Sequence, residues 1–176
     1  PSLDLGAMLP DGKRRVSLSD FAKRALTSKS GAAVAAAVLR HLGPHFCVLG
    51  ESEMVQMRLF VFARSETRHR VRRVDASSVA TGLGNMPNKG GVGIALDVSG
   101  GVRLCFASVH LAAHRAHRFV RQRNDDAANV LRMIQEKLSS TKRAALAVDF
   151  DHVFLFGDLN YRLDDLPVAT SSSDMS

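Results

Sequence analysis

Gly157-Asp158-Leu159-Asn160 combines residue types that carry out chemistry at a short and regular spacing. In an extended chain Asp158 and Asn160 project to one side while Leu159 and Tyr161 point away. The Asp158 carboxylate can take a proton from a water molecule or orient it, and the Asn160 amide can donate to charge developing on a reacting oxygen. The apolar run Val153-Phe154-Leu155-Phe156 just ahead has the length of a buried strand, with Gly157 as its stop. The polar pair then sits at the strand's C-terminal edge, where α/β sheets commonly place functional groups. Gly-Asp followed by Asn is also ordinary turn chemistry, so the pair needs company before it implies a reaction.

Two other segments offer that company. Thr81 to Val92 holds four glycines, Pro87 and the dipeptide Asn88-Lys89 at the entrance of a strand. Glycines let backbone N–H groups approach an anion closely, and an amide with an ammonium adds directed donors, which is how a protein cradles phosphate. A long hairpin turn has the same composition, and the spacing of a Walker loop is absent. In Ala107-Ser-Val-His110 an apolar strand ends on an imidazole. Neutral, it can donate to a phosphate oxygen; protonated, it adds charge, although a lone histidine is commonly a satisfied core residue. No H-E-x-x-H or Cys/His cluster occurs, so neither His110 nor His114 reads as a zinc ligand.

The elements that must position these residues follow from periodicity. Ser17 to Leu26 and the alanine-rich Ser30 to Gly43 read as helices, the second with Val34, Val38 and Leu42 inward and His41 as a cation at its end. After Pro44 the period changes, and His45–Gly50, Met54–Ala63, Val71–Thr81, Val92–Val98 and Val102–Val109 read as strands. Short links such as Ser99-Gly100-Gly101 predict antiparallel hairpins, hence a mostly antiparallel sheet rather than a βαβ series. The arginine-rich Arg64 to Arg73 reads as a solvated hairpin between two of these strands. His117 to Leu138 returns to helical spacing, with Ala127, Leu131, Ile134 and Leu138 as one apolar stripe. Asp151 to Gly157 is the last strand, residues 1–15 read as an exposed connection, and residues 168–176 form a polar tail.

Composition sets outer bounds. A chain of 176 residues, 45% hydrophobic, is a single domain or part of one and excludes wholesale disorder. No apolar run approaches the roughly 20 residues that span a bilayer. The start at Pro1 rather than Met predicts further residues upstream. Cys47 and Cys105 both lie in apolar runs and read as buried, reduced thiols. The net charge of +7 favours polyanions as partners: nucleic acid, anionic lipid headgroups or polyphosphorylated small molecules.

Taken in chain order, Asn88-Lys-Gly-Gly-Val92, Ser108-Val-His110-Leu-Ala-Ala113, Arg123-Asn124-x-Asp126 and Gly157-Asp-Leu-Asn-Tyr-Arg162 resemble the inositol polyphosphate 5-phosphatase family of the exonuclease-endonuclease-phosphatase superfamily, from about His45 to Pro167. The resemblance implies an α/β fold: a two-sheet, mostly antiparallel β-sandwich flanked by helices, here a partial DNase I-like fold with residues 1–167 as an incomplete catalytic domain. It implies magnesium-dependent hydrolysis of the 5-phosphate of phosphoinositides or soluble inositol polyphosphates. Asp158 then orients or deprotonates the attacking water, Asn160 stabilises the transition state, and His110 contacts the scissile phosphate or supports the catalytic network. Asn88 and Lys89 become substrate contacts, Leu83 and Met86 membrane contacts, and Arg123, Asn124 and Asp126 structural residues. Mg²⁺ with oxygen ligands, together with Lys89 and the Asn160 amide, would neutralise charge on the phosphoryl and leaving oxygens. An inositide and an anionic membrane are the implied partners, with no nucleic acid, and the implied location is cytoplasmic and peripheral at membranes.

The sequence also departs from the family pattern. No Gln-Glu precedes the first helix, so the glutamate expected to bind metal lies upstream of this chain and no metal ligand is assigned within it. The P-T-Y-K, C-D-R-I and S-D-H segments are missing, Leu155 stands for a tryptophan, and Pro87 replaces a glycine and stiffens its loop. The expectation is the central piece of a catalytic domain, inactive alone. Two rival readings share its features: a nuclease of the same superfamily, which the Asn88-Lys-Gly-Gly91 loop argues against, and a non-catalytic phosphoinositide-binding module.

Overall fold

Two β-sheets packed face to face, with a helix on the outer side of the larger one, make up the computed structural model, which describes residues 29–82, 84, 86–114, 118–139 and 149–161. The elements are α1 (Lys29–Leu42), β1 (Phe46–Met54), β2 (Met57–Arg64), a 3₁₀ turn (Ser65–Arg70), β3 (Val71–Ala80), β4 (Gly90–Val98), β5 (Val102–His110), α2 (Arg118–Met133) running into a π-turn (Ile134–Leu138), and β6 (His152–Asp158). β1 and β2 pair antiparallel in one sheet. The other has the order β3-β4-β5-β6, antiparallel except for the parallel β5–β6 pair. This is the expected mostly antiparallel two-sheet sandwich with helices. The expected helix Ser17–Leu26, residues 1–15 and the tail 168–176 lie outside the described residues.

The sequence Gly90-Gly-Val-Gly-Ile-Ala-Leu96 explains the layering. Alternate residues of a strand face opposite sides. Val92, Ile94 and Leu96 join Leu49, Met54, Met57 and Leu59 in the core between the sheets. On the other side Gly91, Gly93 and Ala95 leave room for the helix: a methyl at Gly91 would come 2.8 Å from Val130, and one at Gly93 2.9 Å from Leu138. A second core forms there, from Cys105, Ala107, Val109 and Leu111 against Val130, Met133, Ile134 and Leu138. Each fully buried aliphatic side chain contributes about 1.5–3 kcal/mol of transfer free energy. The expected stripe of α2 is present, with Ala127 and Leu131 at its margin.

Arg103 sets the register of the last strand. Its guanidinium binds Asp97 Oδ1 at 2.6 Å, the Asp149 carboxylate, and the Leu138 carbonyl at 3.2 Å, over the Phe150 ring. Its backbone exchanges hydrogen bonds with Asp151, accepting from Asp151 N at 3.0 Å and donating to Asp151 Oδ2 at 2.7 Å. Burial alone would lower the Arg103 pKa, yet the Asp97 and Asp149 carboxylates together hold it above its usual value. The chain after the π-turn is thereby tied to the start of β5, and β6 runs parallel to β5.

Several expectations need correction. β1 does not stop at Gly50 but continues to Met54, and the turn falls at Val55-Gln56, with Val55 at φ 48°. This carries Glu51 into the interior, where it pairs with Arg58 at 3.3 Å and packs under Gly31. Because Gly31 sits on that carboxylate and Ala35, one turn further, is buried, Val34 and Leu42 face outward, 45% and 41% exposed. Arg64 to Arg73 is no hairpin: its 3₁₀ turn crosses from the small sheet to the large one. Cys47 is only half-buried, whereas Cys105 is fully buried; both are reduced.

The largest correction concerns Val153 to Phe156, expected as a buried strand. It is the edge strand of its sheet among the described residues, and these side chains are 37–47% exposed. β1 lies against β3 and β4, and β2 against β4 and β5, so the two-stranded sheet stops short of β6. Phe154 stacks along the sheet on Phe106, with centroids 5.0 Å apart, and the His152 ring lies 6.3 Å away.

Candidate functional site

Sheet register brings the chemistry together. Ala80, Gly90, His110 and Asp158 are lateral partners in one row across β3, β4, β5 and β6. Laterally paired residues share a face. His110 Nε2 and Asp158 Oδ2 accordingly stand 3.4 Å apart at the open ends of two parallel strands. Lys89, one residue before β4, reaches into the same corner with Nζ 2.6 Å from His110 Nε2. Its loop is closed behind it by Thr81 N–H donating to the Lys89 carbonyl at 2.9 Å. The Asp158 side chain is 59% exposed and that of His110 33%, so the group is open to water and solute.

Asn160 arrives by a different route from the one its spacing predicts. β6 runs through Gly157, whose φ of 117° and 2.3 Å Cβ approach to the Val109 carbonyl admit no side chain, and ends at Asp158. The chain then turns: Asn160 adopts φ 53°, and its N–H donates to Asp158 Oδ1 at 3.1 Å. Asparagine tolerates the left-handed region better than most residues. The Asx-type turn, not strand alternation, brings Asn160 back to the Asp158 carboxylate, through its backbone N–H. Asn160 Nδ2 donates to the Leu111 carbonyl at 3.1 Å, and Leu111 N–H to the Asp158 carbonyl at 3.0 Å, so β5 and β6 are locked beyond the last ladder pair.

Behind this corner a clamp from α2 holds the chain that leaves His110. Asp126 Oδ2 accepts from Ala112 N–H at 3.0 Å, while Arg123 donates to the carbonyls of Ala112 at 3.3 Å and His114 at 3.0 Å. Both charged side chains are buried, 1% exposed for Arg123 and 3% for Asp126. The Arg123 guanidinium lies 5.5 Å from the Tyr161 ring, whose hydroxyl donates to Asn124 Oδ1 at 2.5 Å. Burial pushes the Asp126 carboxyl above the usual carboxylate range, with the Ala112 N–H, the Thr81 side chain and the Lys89 charge opposing it. The sequence does carry a signal for this clamp: Arg123 and Asp126 are three apart and in phase with Val130 and Met133 on the buried side of α2.

The remaining candidates fall elsewhere. Asn88 is exposed and turns its side-chain oxygen onto Gly82, within its own loop. Met86 is 53% exposed on that loop; Leu83 lies outside the described residues. His114, at φ 79°, packs on Phe119 with centroids 4.9 Å apart. Among the described residues no group of three or more His, Cys, Asp or Glu could hold a metal ion. Magnesium takes about six oxygen ligands in near-octahedral geometry. The donors at this corner do not by themselves fit such a site. What they can do is orient a water at Asp158 and hold an anion beside Lys89.

Residues 15–174 match the profile of a family described as Endonuclease/Exonuclease/phosphatase family 2. The phosphatidylinositol 3,4,5-trisphosphate 5-phosphatase 2B of Danio rerio is 36% identical over 109 residues, 61% of this chain and 9% of that protein. The phosphatidylinositol 3,4,5-trisphosphate 5-phosphatase 2 of Homo sapiens is 32% identical over 109 residues, 61% of this chain and 8% of that protein. Among solved structures, the inositol polyphosphate 5-phosphatase domain of SPsynaptojanin, in complex with inositol (1,4)-bisphosphate and calcium ion, superposes with a TM-score of 0.57 and 27% identity, covering 78% of this chain and 40% of that one. The chain thus spans less than a tenth of these curated relatives and under half of that solved domain.

Proposed function

Because the chain belongs to the endonuclease/exonuclease/phosphatase family 2, we propose that it carries the central part of a centre that hydrolyses the 5-phosphate of an inositol polyphosphate or phosphoinositide. The observation that carries this reading is the meeting of Asp158, His110, Lys89 and Asn160 at one corner of the sheet. In this reading Asp158 accepts a proton from a water whose oxygen attacks phosphorus. The bond from phosphorus to the ring oxygen breaks, and that oxygen leaves as the alcohol after taking up a proton. Lys89 faces the phosphoryl oxygens, where negative charge must be met by donors already in place, and the Asn160 amide, which also donates to the Leu111 carbonyl, is the second donor in this reading. Magnesium dependence belongs to the reading as a requirement of the longer protein. The 176 residues alone are expected to give no turnover.

The test is phosphate release from a 5-phosphorylated inositide by a longer protein carrying this segment, with Mg²⁺, compared with its Asp158→Asn variant. General-base loss should lower the rate by about 10²–10⁴-fold. An unchanged rate in Asp158→Asn, or turnover by the 176 residues alone, refutes the assignment. A second reading for the chain by itself, carried by the P-T-Y-K, C-D-R-I and S-D-H segments that its sequence lacks, is a phosphoinositide-binding module without catalysis. Binding to anionic vesicles without turnover, retained in Asp158→Ala, would favour it. Peripheral membrane contact through Met86 on the cytoplasmic side completes the proposal; Met86→Glu should weaken vesicle binding if that loop is the contact.

A further inference from the structure

One nitrogen of His110 faces two groups at once. Lys89 Nζ is 2.6 Å from His110 Nε2, and Asp158 Oδ2 is 3.4 Å from the same atom. An ammonium has three N–H donors and no lone pair, so contact at hydrogen-bond distance requires Nε2 to present its own lone pair. A neutral imidazole has one donor and one acceptor, which puts the ring hydrogen on Nδ1. The opposite tautomer would turn Nε2–H against the ammonium. It would also rely on a 3.4 Å contact with Asp158, longer than the usual range of about 2.7–3.2 Å. The charged groups facing this corner are Lys89 from the β3–β4 loop, Asp158 from β6 and, from α2, Asp126, whose carboxyl feels the Lys89 charge.

We propose that His110 is a positioning residue that anchors Lys89 through Nε2 in the Nδ1–H tautomer, and that Lys89 is the donor to an anionic phosphoryl oxygen at this mouth. Of the two roles that the resemblance implies for His110, contact with the phosphate or support of the network, this selects support, and it keeps Lys89 as the substrate contact. A lysine is a point charge on a flexible stem, and it loses rotamer freedom wherever it is fixed. Holding it against a strand-borne imidazole supplies that order before an anion arrives, and leaves Asp158 unpaired with an imidazolium. The identity of the anion rests on the function proposed above; the tautomer does not.

The experiment uses the ¹⁵N-labelled 176-residue chain at about pH 8.5, where an ordinary histidine ring is neutral. Long-range ¹H–¹⁵N spectra should show His110 protonated at Nδ1 and bare at Nε2. Lys89→Met should invert the two nitrogens, turning Nε2–H toward Asp158, and Lys89→Arg, which keeps N–H donors, should restore the original pattern. Backbone amide spectra establish that each variant is folded. Titration with inorganic phosphate should show binding lost in Lys89→Met and His110→Leu and retained in His110→Gln, whose amide oxygen still accepts. An Nε2–H tautomer in the unaltered chain, an Nδ1–H tautomer in Lys89→Met, or undiminished phosphate binding in Lys89→Met overturns the proposal. The expected tautomers without turnover in any longer protein would sink the hydrolase reading alone.

Discussion

Arg123→Met should cost this chain about 3 kcal/mol of folding stability, because it removes a buried guanidinium on which two backbone carbonyls depend. The structure supplies the terms. Arg123 is 1% exposed and donates to Ala112 O at 3.3 Å and His114 O at 3.0 Å. A hydrogen bond involving a charged group contributes about 1.5–3 kcal/mol, so two of them contribute roughly 3–6 kcal/mol. Loss of the contact with the Tyr161 ring adds about 0.5–1 kcal/mol. Against this stands the desolvation that methionine no longer requires, of several kcal/mol, which brings the expectation to the lower end. Methionine keeps most of the stem, so little cavity term enters. Urea unfolding followed by far-ultraviolet circular dichroism measures the loss. With a slope of about 1–3 kcal/mol per molar, the midpoint should fall by roughly 1–3 M. Asn160 should feel the change as well, since it donates to Leu111 O, next to the clamped Ala112; its side-chain amide resonances should shift. A loss below about 1 kcal/mol with those resonances unmoved would refute the view that α2 holds the segment between His110 and Asn160.

Two further outcomes follow from titrating groups. Burial pushes the Cys105 thiol up to about 12, so it should resist alkylation at pH 8 in the folded chain; the half-buried Cys47 should react first, and mass spectrometry showing equal labelling of both would contradict the packing. Burial raises the Asp126 carboxyl above its ordinary 3.8, so the folded state binds more protons than the unfolded chain between that value and the raised one. Stability from this group should therefore fall as pH rises through that window and recover as pH falls. Asp126→Asn should flatten this part of the stability profile; an unchanged pH slope would show that the buried carboxyl is not the cause.

Local sequence determined the elements with little help from the rest of the molecule. The alternation of β4 and the 3.6-residue period of α2 are set by neighbouring residues, since which face is apolar depends only on spacing. The Ser99-Gly100-Gly101 turn links β4 and β5 as its glycines predict, both with positive φ. The residues that meet at the corner could be picked out by type, a lysine, an imidazole, an acid and an amide in chain order at strand ends, although each alone has an ordinary structural reading. Their partners could not. That Lys89 meets His110, and His110 meets Asp158, follows from the register of three strands whose residues lie 21 and 48 positions apart. Asn160 came to Asp158 through a turn that strand alternation cannot foresee. Val153 to Phe156 shows the same limit from the other side. Four apolar residues in a row specify a strand, but burial depends on what packs across it: the two-stranded sheet, on the side of Phe154 and Phe156, lies over β3 to β5, and α2, on the side of Val153 and Leu155, lies over β3 and β4. Backbone periodicity is a property of neighbours in the chain. Proximity and burial are properties of surfaces that meet only when the sheets pair and the helix closes over them.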